Sequence, residues 1–353
     1  MRAVLPLGER RRWSARAVLS LGVVLLAISF IAGSARGAYA ISPFQLWTVL
    51  MDLLAGSPQP SAEHLVFMNI RLPRLLLGVA AGAALGLSGA LMQGLFRNPL
   101  ADPGLIGVSS GAALAAGVTI VLGSLWFPDM PRTLGSWTLV LSAFVGSLGV
   151  TLLVYALSQQ DGATRVGLML LAGIAVNALA GAGLGYLTFL ASDEQLRNIQ
   201  FWLLGSLGGA RWSAVALVFS VVGAAVCAGL TLAKPLNAIA LGEAQAALLG
   251  VPVERVKRFA VLVTALAVGA VTATTGIIGF IGLMAPHCVR LLAGPDHRIV
   301  LPGSALLGAA LVLAADSVAR TAVQPAELPL GVLTAFVGVP FFLLLLRHFK
   351  GRL

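Results

Sequence analysis

Charge is scarce in this chain. Only 10% of its 353 residues are Asp, Glu, Lys or Arg, against 58% hydrophobic, and the mean hydropathy is +0.96. A soluble protein surface is built from about a quarter charged residues, so a soluble enzyme or binding domain is excluded and the solvent is mostly lipid. No G-x-x-x-x-G-K-[ST] occurs, which excludes a phosphate-cradling loop for ATP within the chain. H-E-x-x-H and Cys/His clusters are equally missing, and the G-x-S-x-G at Gly107–Gly111 stands inside an apolar run, so an intramembrane enzyme is not supported. Cys227 and Cys288 stand inside apolar runs with no Cys or His at metal-ligand spacing and read as packing residues. No cofactor or metal is therefore expected in the chain itself. The net charge of +10 is dispersed between apolar runs, without the clustered basic groove and interleaved aromatics of a nucleic-acid binder.

What is present is a series of apolar runs free of Asp, Glu, Lys and Arg, near residues 17–35, 75–96, 104–126, 137–157, 166–190, 212–233, 259–289, 299–315 and 328–346. The run at 259–289 is too long for one crossing of a ~30 Å core at ~1.5 Å per residue. It holds Thr274, Thr275, Gly276 and Gly279 near its middle, so it divides into two helices. The expectation is an all-α, polytopic chain of ten transmembrane helices, one permease domain over 1–353. With the amino terminus in the cytoplasm, sixteen of the 23 Lys and Arg fall inside and seven outside, which puts both termini on the cytoplasmic side and requires an even number of crossings. Residues 1–16 are then a cytoplasmic segment. Arg10 to Arg12, the following apolar stretch and Ala38-Tyr39-Ala40 also resemble a secretory signal. Cleavage would leave nine helices, and an uncleaved first helix is the simpler account.

Gly78, Gly82 and Gly86 are spaced four apart, as are Gly107 with Gly111 and Gly181 with Gly185; such faces let helix backbones approach closely in lipid. Arg71 and Arg74 precede helix 2 on the outside, and Arg255 and Arg258 precede helix 7 on the inside, which fits an inverted repeat of helices 2–5 and 7–10. Asp316 and Arg320 share a helix face and are expected to pair. An ion-coupled carrier would depend on Asp316 or on His287, which reads instead as a packing histidine. The loop at 234–258, KPLNAIALGEAQAALLGVPVERVKR, contains a short helix-forming stretch from Glu243 to Leu249, ended by Gly250, with Pro252 placed to open a second short helix. A helix-turn-helix displayed at the membrane surface is a docking element; the plainer alternative is an amphipathic connector.

Five segments carry a resemblance over nearly the whole chain after residue 60: RLPRLLLG (71–78), GALMQGLFRNPLADPGLIGVSSGAALA (89–115), ALGEAQAALLG (240–250), GFIGLMAPHCVRLLAGPDHRIVLPGSALLGA (279–309) and AELPLGVLTAFVGVPFF (326–342). In the same order they resemble the permeases of ABC importers for ferric siderophores, haem and cobalamin. The resemblance implies a homodimeric inner-membrane permease, two cytoplasmic ATPase subunits that hold ATP and Mg, and a periplasmic substrate-binding protein. It implies ATPase coupling at Gly242, Glu243, Ala244 and Gly250, binding-protein docking at Arg71, Arg74 and Arg320, and an inner gate at Asn98 and Leu100. The second gate element is expected at Asp161-Gly162-Ala163-Thr164-Arg165, where this chain departs from the family pattern. Helix 5 is expected to line the pathway through Met169, Gly173 and Asn177, which share one face. RNPLADPGLIGVSSGAALA and LLAGPDHRIVLPGSALLGA look closest to haem-type permeases, so haem is the expected cargo, with a ferric siderophore or cobalamin as the alternative.

Overall fold

The computed structural model describes residues 13–37, 39, 41–55, 61–126, 135–323 and 325–349. Arg2, Arg10 to Arg12, Ala38, Ala40, Arg132, Lys350 and Arg352, on which parts of the signal-like reading and the charge count rest, lie outside them.

The chain runs through α1 (Ala15–Ala35), α2 (Pro43–Leu54), α3 (Ala62–Val66), α4 (Leu72–Leu95), α5 (Val108–Trp126), α6 (Trp137–Leu157), α7 (Val166–Leu190) and α8 (Asp193–Leu204). It continues through α9 (Trp212–Thr231), α10 (Ala233–Ala240), α11 (Glu243–Leu248), α12 (Val253–Thr275), α13 (Ile281–Ala293), α14 (His297–Ala319) and α15 (Leu330–Phe349). A single π turn, Phe67–Arg71, joins α3 to α4, so that helix 2 is continuous over Ala62–Leu95. A two-residue hairpin, β1 (Gln159–Gln160) with β2 (Ala163–Thr164), links α6 to α7. Among the described residues, seven helices are long and apolar enough to cross a membrane, and three shorter apolar stretches, Val108–Gly123, Ile281–Ala293 and Leu330–Leu344, complete the ten expected from the sequence.

The long run divides where Gly276 adopts φ +71° and Phe280 φ +66°, leaving 276–280 non-helical. Backbone without internal helix bonds is tolerated at membrane depth only when protein covers it. Here Ser206 N–H donates to Thr275 O at 2.7 Å, and Ile278 is buried.

The core is α4, α12 and α14, whereas α1, α6, α7 and α9 turn most of their surface outward. The α4 and α14 axes approach through small residues: a Cβ on Gly82 would lie 2.2 Å from Gly308 O, and one on Gly86 would lie 2.0 Å from Ser304 O. Of the three small-residue faces, the first is thus the most closely packed. Gly111 packs likewise on Gly146 O, but Gly181 and Gly185 have open space in front of them. Packing follows the inverted repeat. α4 lies against α14 as α12 lies against α6, α5 against α6 as α13 against α14, and α4 meets α12.

Candidate functional site

The charged side chains gather at the two ends of the bundle. At the end the charge count places outside, Arg74 from the first turn of α4 meets Asp316 from the last turn of α14. Its Nε and one terminal nitrogen donate to the Asp316 carboxylate at 2.9 to 3.2 Å, and both terminal nitrogens donate to Glu327 at 2.9 Å. Arg320 Nε reaches Asp316 Oδ2 at 3.0 Å, so the expected i, i+4 pair forms, and one buried carboxylate serves two guanidinium groups. The other donors of Arg320 go to Gly33 O and Arg36 O at 3.2 Å, and Arg71 donates to Ser34 O and Tyr39 O. Three of these four are orphan carbonyls at the end of α1, where the helix dipole favours a cation.

The structure shows how the three arginines of the docking expectation are held. Arg71, Arg74 and Arg320 do cluster, but they are 3%, 7% and 7% exposed, with their donors satisfied inside the chain. Charge counting assigns a side of the membrane and says nothing of depth. The group that reaches the surface from this cluster is Glu327, whose side chain is 46% exposed. Arg74's hydrogen bonds hold the Glu327 carboxyl below its ordinary value of 4.5. A carboxyl lowered by folding contributes stability that is fully present above its unfolded value and is lost as pH falls through the folded one. The melting temperatures of the parent and Glu327→Gln, measured from about pH 7 to about pH 3 in one detergent, should therefore converge below the ordinary carboxylate range. A constant difference would show that the carboxylate is not perturbed.

At the opposite end, the loop after α9 folds into α10 and α11, turning at Leu241 and Gly242, the latter at φ +123°. Gly250 ends α11 at φ +81°, as its position predicts. Pro252 opens no second short helix: it is the N-cap of α12, and the partner of α11 in the helix-turn-helix is α10. Leu241, Leu248 and Leu249 are 67%, 89% and 66% exposed, and Ala244 is exposed beside them. Glu243 turns the other way. Its Oε2 accepts from Lys257 Nζ at 2.7 Å, and the same ammonium donates to Glu254 Oε1 at 3.0 Å and Thr164 O at 2.8 Å.

Asn98 and Leu100 sit in the turn after α4, where Asn98 Oδ1 accepts from the Leu100 N–H at 2.9 Å and Asn98 is exposed. The segment 161–165 is part of the β1–β2 hairpin, with Asp161 at φ +53° and Gly162 at φ +76°, the type I′ geometry that an Asp-Gly pair favours. Thr164, which follows, is buried and donates its N–H to Glu254 Oε2 at 2.9 Å.

The structure shows which way the helix 5 face named in the pathway expectation points. Met169, Gly173 and Asn177 share a face of α7, but that face packs inward: Met169 is buried, a Cβ on Gly173 would meet Leu105 O at 1.9 Å, and Asn177 Nδ2 donates to Gly104 O at 3.1 Å. A four-residue spacing finds a face without saying which way it points. The opposite face carries Leu171, Ile174 and Ala178 exposed, and the open Gly181 and Gly185 follow along α7. Sequence reasoning passed over Glu327 and Lys257. Glu327 stood inside the segment at 326–342, and Lys257 was counted only as one more inside charge. His287 stacks edge-on against Phe341 with ring centroids 6.0 Å apart.

Ten apolar crossings in an inverted repeat, with ion-pair networks at both ends, define a polytopic membrane protein. The chain belongs to the FecCD transport family, whose description matches residues 25–348. It is 44% identical over 338 residues to the hemin transport system permease protein HmuU of Yersinia pestis, covering 96% of this chain and 97% of that one. It is also 44% identical over 312 residues to the cobalamin import system permease protein BtuC of Halobacterium salinarum, covering 87% and 80% respectively. A solved structure described as an inward-facing ABC transporter of the metal-chelate type superposes with a TM-score of 0.82 at 30% identity, covering 94% of this chain and 99% of that one.

Proposed function

We propose that the chain is the permease subunit of an ATP-driven importer that carries haem from periplasm to cytoplasm, with both termini in the cytoplasm. Two copies form the pore, two separate ATPase subunits hold ATP and Mg, and a periplasmic binding protein delivers the cargo. The observation that carries the ATP-driven reading is the loop at 234–258. Leu241, Leu248 and Leu249 project from short, well-formed helices at the end bearing most of the positive charge, and apolar side chains are displayed there only to be covered by a partner. The outward face of α7, with the uncovered Gly181 and Gly185, supports contact with a second copy along the pathway. Haem as cargo is supported by the similarity to HmuU, which extends over more of this chain than the similarity to the archaeal BtuC. Cobalamin is the second reading, because the identity over the matched residues is the same.

The test is uptake by proteoliposomes holding the permease, its ATPase and its binding protein. Hemin is expected to accumulate only with ATP, and Leu248→Asp should abolish ATPase co-purification while leaving the permease monodisperse. Burying a charge in an apolar contact costs several kcal/mol, roughly a hundredfold or more in affinity. Accumulation of cyanocobalamin with hemin excluded would transfer the assignment to cobalamin. Uptake driven by a pH gradient without the ATPase would overturn the ATP-driven reading.

A further inference from the structure

Lys257 touches both α11 of the displayed loop and the entry to helix 5. It is 1% exposed, and its ammonium group directs its three donors to three different oxygens: Glu243 Oε2 at the start of α11, Glu254 Oε1 on its own helix, and Thr164 O at the end of the hairpin. Glu254 completes the arrangement by accepting the Thr164 N–H through its second oxygen. Both backbone groups of Thr164 are therefore gripped by the first turn of α12, two residues before α7 begins.

The other half of the repeat builds a related tie. Arg74, in the first turn of α4, grips Glu327 three residues before α15 begins. The start of the leading helix of each half thus holds the segment entering the last helix of the other half. Both ties have a third member on another helix; that of the outer tie, Asp316, is buried on α14, whereas that of the inner tie, Glu243, lies on the surface helix α11. A buried ammonium does not exchange a carboxylate for nothing, so displacing α11 breaks a charge-assisted bond unless the hairpin follows.

We propose that Lys257 is a positioning residue for transport: it makes α11 and the β1–β2 hairpin move together, so that displacement of the displayed loop reaches the start of α7. The inference rests on the reading of α11 as the ATPase-docking helix. That reading is tested separately by Leu248→Asp, whose failure to release the ATPase would remove the docking and leave the Lys257 contacts unexplained by it.

The test uses the assembled transporter in liposomes, with Cys227 and Cys288 replaced by alanine and Asp161→Cys at the exposed hairpin tip. The rate of modification by a membrane-impermeant maleimide is compared between nucleotide-free and vanadate-trapped states, with ATP hydrolysis measured on the same samples. In the parent the rate is expected to change roughly tenfold with nucleotide, the equivalent of one charge-assisted hydrogen bond. In Lys257→Met the change should disappear while hydrolysis continues. Glu243→Ala, which releases α11 but leaves Lys257 paired to Glu254 and Thr164, should also remove the response, read per ATP hydrolysed because Glu243 lies in the docking loop, and serves if Lys257→Met does not assemble. A nucleotide response that persists in Glu243→Ala, or a parent that hydrolyses ATP with no response at Asp161→Cys, overturns the proposal. A merely structural lysine would lower hydrolysis and response in proportion, which also overturns it.

Discussion

Gly86→Ala should destabilise the protein by at least about 3 kcal/mol, the upper end of what overpacking costs, because the added methyl meets main chain rather than a side chain that can turn away. Its Cβ would lie 2.0 Å from Ser304 O, and Gly82 and Gly308 are locked reciprocally at 2.2 Å one turn further along the same crossing. Relief at Gly86 requires α4 and α14 to separate, which loosens both contacts together. Gly86→Leu should yield no folded protein. Gly223→Ala is the control: this glycine lies on the exposed face of α9 with nothing within 4 Å of a Cβ, and alanine there should be neutral or stabilising by up to about 1 kcal/mol. Melting temperatures of the three proteins in one detergent decide the matter, and equal losses at Gly86→Ala and Gly223→Ala would mean that the crossing is not close-packed.

Asp316→Ala should cost about 3–5 kcal/mol, as removal of one member of a buried ion pair does. The carboxylate is 1% exposed and compensates Arg74 and Arg320 simultaneously. Arg74 keeps Glu327 after the change, but Arg320 keeps only carbonyl partners for a buried positive charge. Two comparisons bracket the effect. Disrupting the Arg298–Asp296 pair through Arg298→Ala, where the arginine is 65% exposed, should cost at most about 1 kcal/mol. The double replacement Asp316→Leu with Arg320→Met should recover much of the loss, since it leaves no uncompensated charge at that position. A double-mutant cycle on thermal stability measures this, and strict additivity would show that the two residues are not coupled.

Features carried by near neighbours in the chain were legible in the sequence. The apolar runs give the crossings, and the Thr-Thr-Gly-x-x-Gly stretch at 274–279 marks the interruption, because glycine there permits the left-handed φ of +71° at Gly276. Asp316 with Arg320 was readable for the same reason, being one helical turn apart. Contacts set by the fold left no such mark. Arg74 meets Glu327 across 253 residues, and Lys257 meets Thr164 across 93. Nothing in the composition near Lys257 separates it from Arg255 or Arg258, which carry the same charge on the same turn. Likewise the face of α7 bearing Met169, Gly173 and Asn177 was identified by period, but its direction depends on where the short helix Pro103–Ile106 and the start of α5 are placed.

The α4–α14 crossing also limits how this protein can change shape. Where carbonyl oxygens rest directly against neighbouring main chain, sliding one helix along the other presses backbone atoms against backbone atoms that cannot turn aside as side chains do. Shear along that crossing is therefore closed, and the two helices must travel as one solid body. Any alternation of access is left to hinges outside that crossing, among them the non-helical 276–280 and the hairpin that leads into α7.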